Sequence, residues 1–235
     1  MAPGTRLVIL GKQGAGKGTQ AERLARHFDV PKISTGEMFR ATAGTTGEPG
    51  RAVQRYMEAG DLVPDDVVVA MVRERLAAED AETRGFLLDG FPRTLAQAES
   101  LDRILSPKRV DLTLNLVVPT EVVLARLAAR RVCEACGTNY SADWPPAERW
   151  RCDVCGGNVI ERVDDTEAAI ARRLALYEER TAPLVAWYGD SDRLVAVDGT
   201  GPLYMVTARL LEAVEQRLGS SDHPRPGRAP AGPRA

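Results

Sequence analysis

One stretch constrains this chain more than any other: Gly11-Lys-Gln-Gly-Ala-Gly-Lys17-Gly-Thr19, which contains the pattern G-x-x-x-x-G-K. It lies directly between an apolar run at residues 5–10 (TRLVIL) and a stretch at 17–28 with helical apolar spacing. A strand that turns into a helix through so many glycines lets backbone N–H groups close around an anion, with the positive end of the helix behind them. In that setting Gly14, Ala15, Gly16, Lys17, Gly18 and Thr19 predict a phosphate-binding loop, with the Lys17 ammonium reaching the outer phosphates.

Lys17 is followed by Gly18 and only then by Thr19, whereas most proteins with this loop place Ser or Thr directly after the lysine to ligate Mg²⁺. The departure points to small nucleotide kinases, in which Mg²⁺ is held mainly by phosphates and water. Asp89, at the end of the apolar run 85–89, is the natural carboxylate to orient that shell.

Further apolar runs at 85–89 (GFLLD), 110–118 (VDLTLNLVV) and 193–197 (RLVAV) alternate with helical stretches at 65–79, 95–105, 120–131, 167–188 and 203–218. Alternation of this kind predicts an α/β fold, a P-loop three-layer core with a central parallel sheet between helices. The core is expected at 1–33, 64–128 and 166–218. Two segments break the alternation. Residues 34–63 are helix-like and rich in Gly and Thr, with no convincing strand, and residues 129–165 hold all four cysteines and Pro145-Pro146. Both read as excursions from the core. Residues 219–235, dominated by Pro, Gly, Arg and Ala, have almost nothing to bury and read as a disordered tail.

Composition serves mainly to exclude. At 44% hydrophobic, 235 residues can bury a proper core, and 31 basic against 33 acidic side chains recommend neither a nucleic acid nor an acidic membrane as partner. Any anion site must be built locally. No run approaches the roughly 20 apolar residues that cross a bilayer, and Gly11 and Lys12 interrupt the first apolar run before it reaches signal-peptide length, so a cytoplasmic protein is expected.

Cys133-x2-Cys136 and Cys152-x2-Cys155, with 15 residues between the pairs, have the spacing of a four-thiolate metal site rather than of disulfides. Gly137 and Gly156 follow the second cysteine of each pair, as tight knuckle turns require. Four protein ligands leave no open position, which predicts a structural metal, Zn²⁺ or iron, that folds a segment with little core of its own. Paired C-x2-C ribbons also bind nucleic acids, and Trp144 and Trp150 could stack on bases, but the run between the pairs is no basic stripe.

Three segments converge on one family: Gly14-Ala-Gly-Lys-Gly-Thr-Gln20, Ile33-Ser-Thr-Gly-Glu-Met38 followed by Arg40, and Phe86-Leu-Leu-Asp-Gly-Phe-Pro-Arg-Thr94. From residue 6 to residue 218 the chain resembles adenylate kinases. The resemblance implies a reversible reaction in which ATP and AMP give two ADP, on a core with two mobile flaps. Residues 34–63 would be the AMP flap and 129–165 a zinc-bound lid over ATP. It places Thr35, Arg40, Arg93 and Gln97 at the AMP site, the two arginines on the phosphate and Gln97 facing adenine, with backbone at Asp61, Leu62 and Val63 along the same base.

Such a reaction needs no general base, because the acceptor already carries an ionised phosphate oxygen; it needs charge neutralisation and in-line alignment of two polyanions. Arginines supply the charge. Gly90, Phe91 and Pro92 form a rigid turn expected to present Arg93 at the carboxyl end of a strand. Arg126 and Arg130, four apart, are expected on one face of the helix entering the lid. Arg162, just ahead of Asp164 and Asp165, and Arg173 match the family's remaining phosphate contacts. Asn139 and Tyr140 match lid positions near the ATP base, although a tyrosine beside a metal knuckle equally suits the lid core. Gly201 stands where some members carry lysine, in a turn that serves through its backbone. The nearest competitor is a kinase for UMP and CMP; Gln97 and the long lid argue against it. A monomer is expected, since no surplus apolar helix face is evident.

Overall fold

The computed structural model describes residues 4–45, 47–148, 150–162 and 164–219. The chain opens with β1 (Thr5–Leu10), α1 (Lys17–Phe28) and β2 (Lys32–Ser34), then runs through α2 (Thr35–Ala43), α3 (Glu48–Ala59), α4 (Asp65–Leu76) and α5 (Glu79–Arg84). It returns to the sheet at β3 (Gly85–Asp89), and α6 (Leu95–Leu105), β4 (Leu112–Val117) and α7 (Thr120–Ala129) follow. Three short strands come next, β5 (Arg130–Cys133), β6 (Asn139–Ser141) and β7 (Val159–Ile160), and then α8 (Glu167–Leu176), α9 (Pro183–Asp190), β8 (Leu194–Asp198) and α10 (Leu203–Leu218).

The main sheet has the order β2-β3-β1-β4-β8 and every pairing in it is parallel. Pleating sends alternate side chains to opposite faces, and the strands use both faces for core. Leu7 and Ile9 of β1 with Leu112, Leu114 and Leu116 of β4 pack toward α1 and α10; Val8, Leu10, Phe86 and Leu88 pack toward α4, α6 and α9. The result is the three-layer α/β architecture expected from the alternation.

Several boundaries differ from those expected. Lys32–Ser34 is a three-residue edge strand, too short to register as an apolar run. The helical stretch 65–79 divides into α4 and α5, since Ala78 is extended (φ −69°, ψ 142°). The stretch 167–188 is interrupted by a wide π-turn at Tyr177–Thr181, in which the Ala182 N–H reaches back to Tyr177 O at 2.8 Å. Pro183 accounts for it: a proline inside a helix has no N–H to give and crowds the preceding turn.

The helix expected over 120–131 stops at Ala129. Arg130 is extended (φ −65°, ψ 135°) and begins β5, so Arg126 and Arg130 do not share a helix face. The chain turns there because β5 must pair with both β6 and β7, and these antiparallel pairings bring the two cysteine knuckles together. Within 34–63 lie α2 and α3; the expected tail falls, from residue 220 on, outside the described residues.

Candidate active site

The loop after β1 leaves the carboxyl end of the strand that sits between β3 and β4, where open α/β sheets bind ligands. Gly16, just before α1, is left-handed (φ 101°). Gly14 is also left-handed (φ 81°), and a Cβ there would lie 2.7 Å from Leu127 Cγ, so α7 presses on the loop and only glycine fits. The Lys17 ammonium donates to the carbonyls of Gly11 at 2.7 Å and Lys12 at 2.8 Å. Burial pushes it down from 10.5 to about 8; Asp89 opposes this, and Arg93 and Arg130 add to it.

Seven basic and four acidic side chains line the cleft above this loop, in a chain whose formal charge is −2. The anion site is therefore local. Five of its six arginines fall into two groups. Arg130, Arg162 and Arg173 share an acid pair that leaves one positive charge in excess: Arg130 Nε donates to Asp165 Oδ2 at 2.6 Å, Arg162 forks onto Asp164 at 2.8 and 2.6 Å, and Arg173 donates to Asp164 Oδ2 at 3.0 Å. Burial alone would raise the Asp164 carboxyl, but Arg162 and Arg173 hold it well below the usual range. Arg173 also donates to Met57 O of α3 at 2.7 Å, tying α8 to the 34–63 segment.

Arg40 and Arg93 form the second group, with no ion pair among the described residues. Desolvation lowers the pKa of both; Asp89 opposes this at Arg93 and Arg173 adds to it, while at Arg40 the guanidinium groups of Arg162 and Arg130 add to it and Asp164 and Glu37 oppose it. Arg93 is presented as its turn predicts: Gly90 is left-handed (φ 84°), the Phe91–Pro92 bond is cis, and Arg93 Nε donates to Gly90 O at 2.8 Å. Arg126 stands apart, donating to the carbonyls of Ala15 and Gly199, each at 3.0 Å.

Lys17, Asp89, Gly14, Gly16, Gly18, Thr19, Arg40, Asp61, Leu62, Val63, Gly90, Pro92, Arg93, Gln97, Arg126, Arg130, Asn139, Tyr140, Arg162 and Arg173 all line this cleft. Four of the expected residues do not. Ala15 is buried beneath the loop, Phe91 is core, Thr35 is buried with its hydroxyl on Gly90 O at 2.9 Å, and Gly201 lies on an exposed turn. Asp165 and Asp65 were not singled out by any motif, nor was Asp164; the acidic pair between Arg162 and Arg173 was the available signal. A further space of about 1520 Å³ is lined by the knuckle at 133–139 on one side and by residues of α1, α2 and α3 on the other.

The four cysteine sulfurs lie within 4.8 Å of one another, with Cys133–Cys155 and Cys136–Cys152 at 3.5 Å. A tetrahedral thiolate site with metal–sulfur bonds of about 2.3 Å places its sulfurs about 3.8 Å apart, so this set could hold a metal. Gly137 and Gly156 close the two knuckles in left-handed conformation (φ 73° and 72°), donating to Cys133 O and Cys152 O at 2.9 and 2.8 Å. Tyr140 donates its hydroxyl to Cys152 Sγ at 3.3 Å and still lines the cleft, so it belongs to the knuckle and to the cleft wall at once.

A family model described as adenylate kinase matches residues 9–193. The adenylate kinase of Salinispora tropica is 48% identical over 217 residues, 91% of this chain and all of that protein. That of Acidothermus cellulolyticus is 47% identical over 212 residues, covering 89% and 97%, and that of Archaeoglobus fulgidus 44% over 217 residues, covering 91% and 99%. Similarity that runs through the glycine loop, the Arg93 turn and the cysteine segment alike leaves one conclusion: the chain belongs to the adenylate kinase family.

Proposed function

We infer that this enzyme moves the terminal phosphoryl group of ATP reversibly onto AMP, giving two ADP, with Mg²⁺ accompanying ATP. The observation that carries the reading is a single cleft in which Lys17 on its glycine loop shares space with two arginines that have no ion pair among the described residues, the half-buried Arg93 and the more exposed Arg40. Guanidinium groups gathered in a cleft without carboxylate partners repel one another, and a phosphate restores the balance.

In this reading ATP lies on the loop 14–19 with Arg126 and Arg130, and AMP lies between Arg40, Arg93, the 61–63 backbone and Gln97. Residues 34–63 close over AMP and residues 129–165 over ATP, which expels water that would otherwise accept the phosphoryl group. Arg130, Arg162 and Arg173, held by Asp164 and Asp165 in the open cleft, turn to the phosphates on closure. Asp89, half-buried beside Gly18 and without an ion pair among the described residues, suits the shell of the Mg²⁺ that neutralises ATP. The four cysteines hold zinc, which supplies folding energy and no chemistry. We take the enzyme to be a cytoplasmic monomer with no nucleic-acid partner; no helix is long and apolar enough to cross a membrane.

ATP and Mg²⁺ offered with AMP, CMP, UMP or GMP test the assignment directly. AMP is expected to be preferred by at least about 100-fold in kcat/KM, the range a polar base-reading site supplies. Equal use of CMP or UMP, or brisk hydrolysis of ATP with no ADP made from AMP, would overturn it.

Lys17 predicts a pH profile. Because its folded value, about 8, lies below 10.5, keeping Lys17 charged costs stability below pH 8, and that cost disappears as pH rises toward 10.5. A polyphosphate favours the charged form. The kcat/KM for ATP, which reports the free enzyme, should therefore fall above pH about 8 by up to tenfold per unit. Lys17→Met should be slow throughout and lack this limb; a wild-type profile flat to pH 10 would contradict the assignment.

A further inference from the structure

Asp65 opens α4, directly after the 61–63 segment, and both of its carboxylate oxygens are engaged. Oδ2 accepts from Thr94 Oγ1 at 2.8 Å and Oδ1 accepts from Gln97 Nε2 at 2.6 Å. Across the same amide, Gln97 Oε1 accepts from the Arg93 backbone N–H at 2.7 Å, and Gln97 N donates to Thr94 Oγ1 at 3.2 Å. Gln97 is 2% exposed, yet it lines the cleft.

A carboxylate only accepts and a backbone N–H only donates, so these two partners permit one orientation of the amide. Turned over, it would set Nε2 against the Arg93 N–H and Oε1 against the Asp65 carboxylate, replacing two partly buried hydrogen bonds with two repulsions. Each existing bond uses half of what its atom offers. One Nε2 hydrogen and one Oε1 lone pair remain, and they present donor and acceptor in a fixed order.

We propose that Asp65 is a positioning residue for the acceptor base: it fixes which way the Gln97 amide faces, and so favours adenine over a base whose edge is reversed. Adenine carries a donor at position 6 and an acceptor at position 1; hypoxanthine carries an acceptor at 6 and a donor at 1, with almost the same shape. Inosine monophosphate is therefore the probe. The proposal rests on the reading that Gln97 faces the AMP base, and the variants separate the two ideas.

Asp65→Ala should lower kcat/KM for AMP by about tenfold or more, chiefly through KM, while changing that for inosine monophosphate less than about threefold. An equal loss with both acceptors would make Asp65 merely structural and overturn the proposal, as would an unchanged ratio. Asp65→Asn, which keeps the shape but can turn either an oxygen or an NH₂ toward Gln97, should reduce the AMP preference by about threefold or more. It preserves a readout if the alanine variant melts early, and an unaltered preference in it counts against the proposal. Gln97→Leu should abolish the preference. If it does so while both Asp65 variants keep theirs, only the role of Asp65 falls; if it leaves the preference intact, the base reading and the proposal fall together.

Discussion

Replacing Arg93 with alanine is expected to lower turnover by about 10³-fold, within the range for a cation that stabilises a transferring phosphoryl group. The structure gives reasons to expect a folded variant. The main chain at Arg93 is held without its side chain, since its N–H donates to Gln97 and its carbonyl accepts from Thr181 Oγ1 at 2.9 Å. The guanidinium contributes little to folding, because desolvation lowers its pKa, Arg173 adds to this, and Asp89 offsets it without forming an ion pair. Alanine should therefore leave the melting temperature unchanged or slightly raised while removing charge from the transition state, the usual opposition of stability and activity at such sites. Arg93→Lys should recover only part of the loss, since an ammonium lacks the planar fork. Coupled ADP assays and thermal melts check both halves; turnover within about tenfold of wild type would remove Arg93 from the mechanism.

What the sequence made legible was what depends on local pattern. The glycine loop between strand and helix is a short-range object, and so is the Gly90-Phe91-Pro92-Arg93 turn; α6 and α10 fall at the bounds their spacing predicts. What escaped depends on partners distant in sequence. Arg130 leaves the helix because β5 must pair with strands on either side, which no spacing within 120–131 records. Asp65 meets Gln97 across 32 positions, and Asp165 meets Gln13 across 152 at 2.9 Å. The family resemblance carried residue roles forward where they matched a motif, but it named Gln97 without the carboxylate that orients it. The break within 167–188 was available in principle, since Pro183 lies inside that helical pattern.

If the four cysteines hold the proposed zinc, stripping it from the cysteine segment should cost more structure than the loss of one ion suggests. Its buried apolar cluster consists of Cys133, Cys152 and Val159, with Tyr140 and Trp150 packed against them, and its strands are four, three and two residues long. Burying Val159 contributes about 1.5–3 kcal/mol, whereas structural zinc contributes about 10–16 kcal/mol in small domains of this kind. Two of the arginines sit at the ends of this unit, Arg130 as the first residue of β5 and Arg162 two residues beyond β7, so losing the knuckles releases both from the cleft. Chelation, or Cys152→Ser, is thus expected to open residues 129–165 to proteolysis and to lower kcat/KM for ATP at least about 100-fold, while the parallel sheet keeps its own melting transition. Added Zn²⁺ should restore the wild type and not the serine variant. Protein that elemental analysis finds metal-free, yet that resists protease in this segment and turns over normally, would show that the cysteine segment holds together without a metal.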